Sequence, residues 1–366
     1  MRDEPRIARA AMLATVRERY GIVAEGLTFV PVGYAAACYV LHGAGGGRFF
    51  LKVWPVAADG GPHPAWRAGS LSLARAIHER GVGLTVPYPL PTADGALWAH
   101  VGVTAEAVPI GHLGAAPVGH SQGSPLALFP FLAGASPTAW SPPLREAVAR
   151  ALAALHRATP VLADVLPPRE TFALPFAAAL RRDLAGLESI GPRARAGLRA
   201  LRDWLLPRRD ETLAQLARLE RLQGVVRALP GPVVVCHTDI GAENLLVDDV
   251  GRLAVLDWDE ATLAPPEYDL YAACEMGDSA GFLATYAAAS GAGGGVRLHV
   301  DHFAFALLRR YVGDMAVRLR EALADEGTPG RDMAVLREIE VWGFARWRGL
   351  GATLDGVVAA LAELSG

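Results

Sequence analysis

The sequence predicts a two-lobed α+β protein, and three observations carry that prediction. Short β-type runs separated by Gly and Pro clusters fill the first 130 or so positions; apolar residues then recur at three and four; and one polar, strand-rich island interrupts the helical half at 237–260. The length of 366 residues, 52% hydrophobic and 20% charged, suffices for a large core, in one big domain or two or three smaller ones.

The N-terminal MRDEPRIARAAMLATVRERYG alternates charge with short apolar runs and predicts an amphipathic helix; it lacks the unbroken apolar stretch of a signal peptide. LTFVPV (27–32), ACYVLH (37–42), RFFLKVW (48–54), GALWAHVGV (95–103) and PLALF (125–129) predict strands, with one helix between them over 65–80. PLPTADG and the Gly-, Ser- and Pro-rich stretch 111–125 predict surface loops. Beyond residue 130, LREAVARALAALHRA (144–158) has helical periodicity, and further helices are expected at 176–188, 194–222, 299–324 and 333–349. There is no internal repeat.

A net charge of −3 argues against nucleic acid and anionic membrane as partners. Apolar runs are cut by Arg, Asp, Gly or Pro well before membrane-spanning length. Cys38, Cys236 and Cys274 have no paired spacing, so neither a disulfide framework nor a zinc cluster is expected, and a reducing cytoplasm fits.

The island HTDIGAENLLVDDVGRLAVLDWDE (237–260) is where chemistry concentrates. PVVVC (232–236) predicts a buried strand, HTDIGAEN a polar turn, and LLV-DDVG-RLAVLD a hairpin ending on Asp257. A hairpin brings its strand ends together, so Asn244 and Asp257 become neighbours with Asp239 at the mouth. An amide oxygen beside a carboxylate is a hard-oxygen pair, suited to magnesium shared with phosphates rather than to zinc. The spacing His237, Asp239, Asn244 matches the H-x-D-x-x-x-x-N loop of phosphoryl-transfer enzymes, with Asp257 as the metal-binding aspartate that follows it. Asp239 and Asn244 could instead simply cap a turn. The strand before, the hairpin after and the closing LDWDE would then all have to coincide with it by chance. His237, at a strand end, is expected to orient the loop rather than to shuttle protons.

These residues resemble the aminoglycoside phosphotransferase family, which shares the bilobal fold of protein kinases. PPRETF (167–172), the helical insert running to RRDETLAQLARLERL, and VVCHTDIGAENLL are most similar to its spectinomycin phosphotransferase branch. The resemblance implies a small nucleotide-binding lobe over 1–129, a hinge at 130–134, and a larger, mainly helical lobe over 135–366. It further implies ATP or GTP and Mg2+ as cofactors and a small-molecule hydroxyl as acceptor. Lys52, on the apolar strand RFFLKVWP, would meet phosphate oxygens. VPVGYAAACYV resembles a glycine-containing loop with Gly33 near the phosphates. ALFPFLAG resembles the hinge, where Pro130 offers a carbonyl and Leu132 an amide to adenine.

One departure stands out. The lysine of this fold pairs with a glutamate on the front helix, yet Ala68 stands at the aligned position and Glu79 is the helix's one acid. Either Glu79 swings in, or phosphate and Asp257 alone hold Lys52. Asp259, Glu267 and Glu275 give the region after the hairpin a negative cast that suits a cationic acceptor, while Asp269 is expected to support the loop structurally. The resulting expectation is an antibiotic O-phosphotransferase; the alternatives are a metabolic kinase of choline, homoserine or a sugar-like alcohol, and a nucleotide-binding pseudokinase.

Overall fold

The computed structural model describes residues 4–5, 7–32, 36–56, 68–101, 123–291, 297–324 and 329–365. Two compact units emerge, each discontinuous in sequence: Met1–Ala139 with Ala158–Pro167 and His237–Thr262, and Trp140–Arg157 with Pro168–Cys236 and Leu263–Gly366. The strand-rich island thus belongs, by packing, to the unit that contains the front sheet.

In the first unit α1 (Arg9–Tyr20) precedes β1 (Ala24–Val30), β2 (Ala37–Gly43) and β3 (Arg48–Val53), followed by α2 (Ala68–Glu79), β4 (Ala99–Val101) and β5 (Ser124–Pro130). The five strands form one antiparallel sheet in the order β1-β2-β3-β5-β4. Alternation sorts its side chains. Tyr39, Leu41, Leu51, Val53, Leu126 and Leu128 pack with Met12 and Val16 of α1 on one face. Ala127, Phe129 and Trp54 pack with Leu71 of α2 on the other. Fully burying one such leucine stabilises by about 1.5–3 kcal/mol, so the two clusters pin the register of β3. Lys52 pairs in register with Cys38 and Ala127, which fixes its side chain on the α2 face.

The island forms β7 (Leu245–Val247) and β8 (Leu253–Val255) after β6 (Val234–Cys236), and β9 (Thr262–Ala264) follows. Leu245 pairs with Val255 and Val247 with Leu253, as a hairpin requires. The Asp248 carboxylate closes the turn by accepting the Val250 and Arg252 amides at 3.1 and 2.8 Å. Two contacts tie the hairpin to the front of the chain. Ala135 and Val247 exchange both backbone hydrogen bonds at 3.0 Å, and the Val255 amide donates to Thr85 at 3.0 Å. Gly134 makes the first possible: with φ at +143°, a Cβ there would stand 2.9 Å from the Val247 oxygen.

The second unit is helical: α3 (Pro142–Arg157), α4 (Ala177–Gly186), α5 (Ala196–Leu205), α6 (Arg209–Ala228), α7 (Glu267–Leu270), α8 (Ala272–Glu275), α9 (Ser279–Ala289), α10 (Val300–Ala324), α11 (Pro329–Glu338) and α12 (Ala345–Ser365). The helix expected over 194–222 is two helices, because Pro207 in the 3-10 turn Leu206–Arg208 has no N–H to continue the ladder. The helix expected over 333–349 is interrupted by a π turn, Ile339–Phe344, and α12 continues to Ser365. Helix α2 is described from Ala68 onward; positions 65–67, the strand end at 102–103 and most of the loop 111–125 lie outside the described residues. Among the described residues no helix is long and apolar enough to cross a membrane.

Candidate active site

The turn between β6 and β7 is built around His237, which is fully buried. Its Nδ1 accepts the Asp239 amide at 3.2 Å, which places the ring proton on Nε2, and Nε2 donates to the Leu256 carbonyl at 2.6 Å. The Trp258 ring packs edge-on at 4.9 Å. His237 therefore joins the turn before the hairpin to the strand end after it. Two non-glycine residues take left-handed conformations here, Thr238 at φ 72° and Asp257 at φ 57°. Such a conformation costs about 1–3 kcal/mol and persists only where its surroundings enforce it. At Thr238 a hydrogen bond from Oγ1 to the Glu260 carbonyl, 3.0 Å, contributes.

Asp239 and Asn244 lie together. Asn244 Nδ2 donates to Asp239 Oδ2 at 2.8 Å and to the Asp239 carbonyl at 2.9 Å. With its nitrogen turned toward Asp239, the planar amide directs Oδ1 the other way. The Asn244 carbonyl accepts the Leu256 amide at 2.8 Å, so the two hairpin ends that carry Asn244 and Asp257 are neighbours, as expected.

The third group is Lys52. Its ammonium lies 2.7 Å from Asp257 Oδ1 and 3.1 Å from Asp259 Oδ2. Burial alone would lower the lysine's pKa; Asp259 and Asp257 reverse this and raise it. Burial would likewise raise the Asp257 carboxyl, but the Lys52 ammonium outweighs it and holds the group below the usual carboxylate range. At Asp259 burial wins, helped by the charge of Asp257, and the pKa is raised despite the ammonium. Ser70 Oγ, on α2, donates to Asp259 Oδ1 at 3.3 Å.

The remaining expectations fall as follows. Glu79 pairs with Arg75 one turn back on its own helix, not with Lys52. Asp259, expected among the acceptor acids, lies on Lys52. Glu267 is also buried, 1% exposed, with Oε1 accepting the His299 amide at 2.6 Å, which sets it inside the second unit rather than on an open wall. Asp278 caps α9 through the Gly281 amide, 3.0 Å. Asp269 is fully buried, 2.9 Å from His156 Nε2, whose Nδ1 lies 2.8 Å from the Tyr286 hydroxyl. The partners of Asp269 in that network lie on α3 and α9. Pro130 closes β5, and Leu132 follows the Phe131 ring, on which the Arg48 guanidinium stacks at 4.2 Å. Gly33 and the side chain of Glu275 lie outside the described residues.

Two features escaped the sequence reading. The Asp259 and Ser70 contacts join distant elements and leave no local signature. Lys52 has one: it is the sole lysine of the chain, all other long basic side chains being arginine. The compact ammonium stands where two carboxylates converge on a point.

Asp239, Asn244, Asp257 and Lys52 together offer a carboxylate that can orient and deprotonate a hydroxyl, two hard-oxygen ligands suited to a divalent cation, and an ammonium that can meet phosphate. The profile of the phosphotransferase enzyme family matches residues 26–300. No curated protein matches the sequence significantly. Among solved structures, a spectinomycin phosphotransferase in complex with ADP and spectinomycin matches with a TM-score of 0.70 at 16% identity, over 97% of this chain and 99% of that one. An amicoumacin kinase in complex with AMP-PNP and Ca2+ matches with a TM-score of 0.58 at 14% identity, over 92% and 94%. A choline/ethanolamine kinase family protein from Mesorhizobium loti matches with a TM-score of 0.51 at 14% identity, over 95% and 98%. These likenesses establish the fold: a protein-kinase-like α+β architecture with a small sheet-based lobe and a larger helical one.

Proposed function

Because the chain belongs to the phosphotransferase enzyme family, whose profile spans residues 26–300, we propose that it transfers the γ-phosphoryl group of ATP to a hydroxyl of an aminocyclitol- or aminoglycoside-like antibiotic. The observation that carries this reading is the pairing of Asp239 with Asn244 at 2.8 Å, on a turn locked by His237. Asp239 accepts the proton of the acceptor hydroxyl and aligns its oxygen; that oxygen forms the new bond to the γ-phosphorus as the bond to the β-phosphate oxygen breaks and ADP leaves. Lys52 contacts the α and β phosphate oxygens. Asn244 Oδ1 and Asp257 would hold Mg2+, which when bound neutralises phosphate charge. Positioning and charge supply most of the acceleration. Gly33, Pro130 and Leu132 are proposed to contact the nucleotide, as the resemblance implies.

Antibiotic acceptors are favoured by the higher TM-score to the spectinomycin enzyme, 0.70, against 0.51 for the choline/ethanolamine kinase family protein. Attraction of a cationic acceptor by Asp259 and Glu267 is not part of this reading, since one is engaged by Lys52 and the other is buried. A pseudokinase reading is disfavoured because Asp239, Asn244, Asp257 and Lys52 are all present, and its one support is that Glu79 of α2 pairs with Arg75. The test is ATP and GTP consumption against aminocyclitols, other aminoglycosides, macrolides, choline and amino alcohols. Turnover confined to choline or amino alcohols would replace the antibiotic reading with the metabolic one, and no turnover with any hydroxyl would sink both.

A further inference from the structure

The lysine of this site is held without help from an acid on α2. The helix's one acid, Glu79, pairs with Arg75. What α2 contributes instead is Ser70, 8% exposed, whose hydroxyl donates to Asp259 Oδ1 while Asp259 Oδ2 takes the Lys52 ammonium at 3.1 Å. The chain from helix to lysine is therefore Ser70 to Asp259 to Lys52. Resting on the reading of Lys52 as the phosphate-contacting residue, we propose that Asp259 is a positioning residue that, with Ser70, does the work an acid on α2 would otherwise do.

The local backbone explains why Asp259 can reach. In an extended strand, residues two apart share a face but stand about 6.5–7 Å apart along the chain. Here Asp257 sits at φ 57° and the 3-10 turn Trp258–Glu260 begins immediately after it, which folds both carboxylates back onto one ammonium. Trp258 fixes that turn by donating from Nε1 to the Val255 carbonyl at 3.0 Å and packing on His237. The division of labour has a consequence. Asp257, whose side chain is 40% exposed, is the acid open to a metal ion; Asp259, 14% exposed, is enclosed with the lysine. When Asp257 turns to a metal, Asp259 keeps Lys52 in place.

The test compares Asp259→Asn, Asp259→Glu, Ser70→Ala and the double variant Ser70→Ala/Asp259→Asn with the unaltered enzyme. Asp259→Asn is expected to lower kcat about ten- to a hundredfold and to raise KM for ATP severalfold, with the Mg2+ activation constant unmoved. Ser70→Ala should act in the same direction more weakly and add nothing on top of Asp259→Asn; Asp259→Glu should recover part of the loss. A second readout needs neither nucleotide nor metal. Because Lys52 is the one lysine, acylation by an amine-directed reagent, followed by peptide mass spectrometry, reports how often its ammonium leaves the two carboxylates; Asp259→Asn should speed labelling severalfold. Unchanged kcat, KM for ATP and labelling would overturn the proposal, and so would a severalfold rise in the Mg2+ constant with labelling unchanged, which would make Asp259 a metal ligand. Asp239→Asn run alongside separates the two readings: full activity there would remove the phosphotransfer assignment itself.

Discussion

Asn244 reaches back to Asp239 with one nitrogen, 2.8 Å to the carboxylate and 2.9 Å to the carbonyl of the same residue. A single amide thus fixes the rotamer of the acid while turning its own oxygen away from it. In the proposed reading, orientation of the proton acceptor and supply of a metal ligand would be two ends of one planar group.

Asp239→Asn should therefore cut turnover by at least about a hundredfold, the low end for loss of a general base, while nucleotide affinity changes little. Steady-state kinetics on any accepted hydroxyl compound, with nucleotide binding measured separately, decides it; a variant with most of its kcat would take Asp239 out of the reaction.

Asp257→Ala should abolish the Mg2+ dependence of nucleotide binding, because the enclosed Asp259 stays with Lys52 and the Asp239 carboxylate is engaged by the nitrogen end of the Asn244 amide. Isothermal titration of ATP with and without Mg2+ reads this directly. Equal gains in affinity from Mg2+ in variant and parent would refute the assignment.

His237→Ala should destabilise the fold by several kcal/mol. It opens a cavity at a fully buried position and removes the His237 ring as partner of the Asp239 amide and the Leu256 carbonyl; losing the partner of an enclosed polar group costs about 1–3 kcal/mol. Urea unfolding measures the loss, and a loss below 1 kcal/mol, by the same scale, would mean that the turn is held elsewhere.

Two buried groups of the second unit make opposing contributions to stability as pH changes. Burial pushes the Glu267 carboxyl up from 4.5 to about 7, against the pull of the His299 amide, so the folded chain holds a proton that the unfolded chain has lost. That contribution to stability falls as pH rises from 4.5 to 7, by on the order of 3 kcal/mol at full effect. Burial pushes His302 down from 6.5 to about 4, with His299 adding and Asp301 opposing. There the unfolded chain binds the extra proton, and stability rises between pH 4 and 6.5. The two slopes nearly cancel from 4.5 to 6.5. Glu267→Gln removes one of them, so the variant should gain stability steadily from pH 4 to 6.5 and exceed the parent at pH 8. Urea midpoints that run parallel for the two proteins from pH 4.5 to 8 would show that Glu267 titrates normally.

How far the sequence foretells the site depends on the range of the contacts. His237, Asp239, Asn244 and Asp257 were legible because a strand, a turn and a hairpin follow one another without a gap, and each is written in adjacent residues. The contact of Asp259 with Lys52 was not, since periodicity assumes a continued strand and the left-handed Asp257 redirects the chain at that point. The burial of Glu267 was not legible either, since its partner, the His299 amide, stands thirty-two positions later. Pro207 did mark a helix break in plain letters, and the uninterrupted apolar periodicity around it masked the signal.

The lone lysine also gives the molecule an unusual relation to proteases. An endoproteinase that cuts only after lysine finds one bond in the whole chain, Lys52–Val53, and it lies inside β3, paired on both sides within the sheet. Cleavage requires the ladder to open, so the protein carries its own unfolding reporter: two fragments of 52 and 314 residues from a chain of 366, released at the rate or the equilibrium with which the front sheet parts.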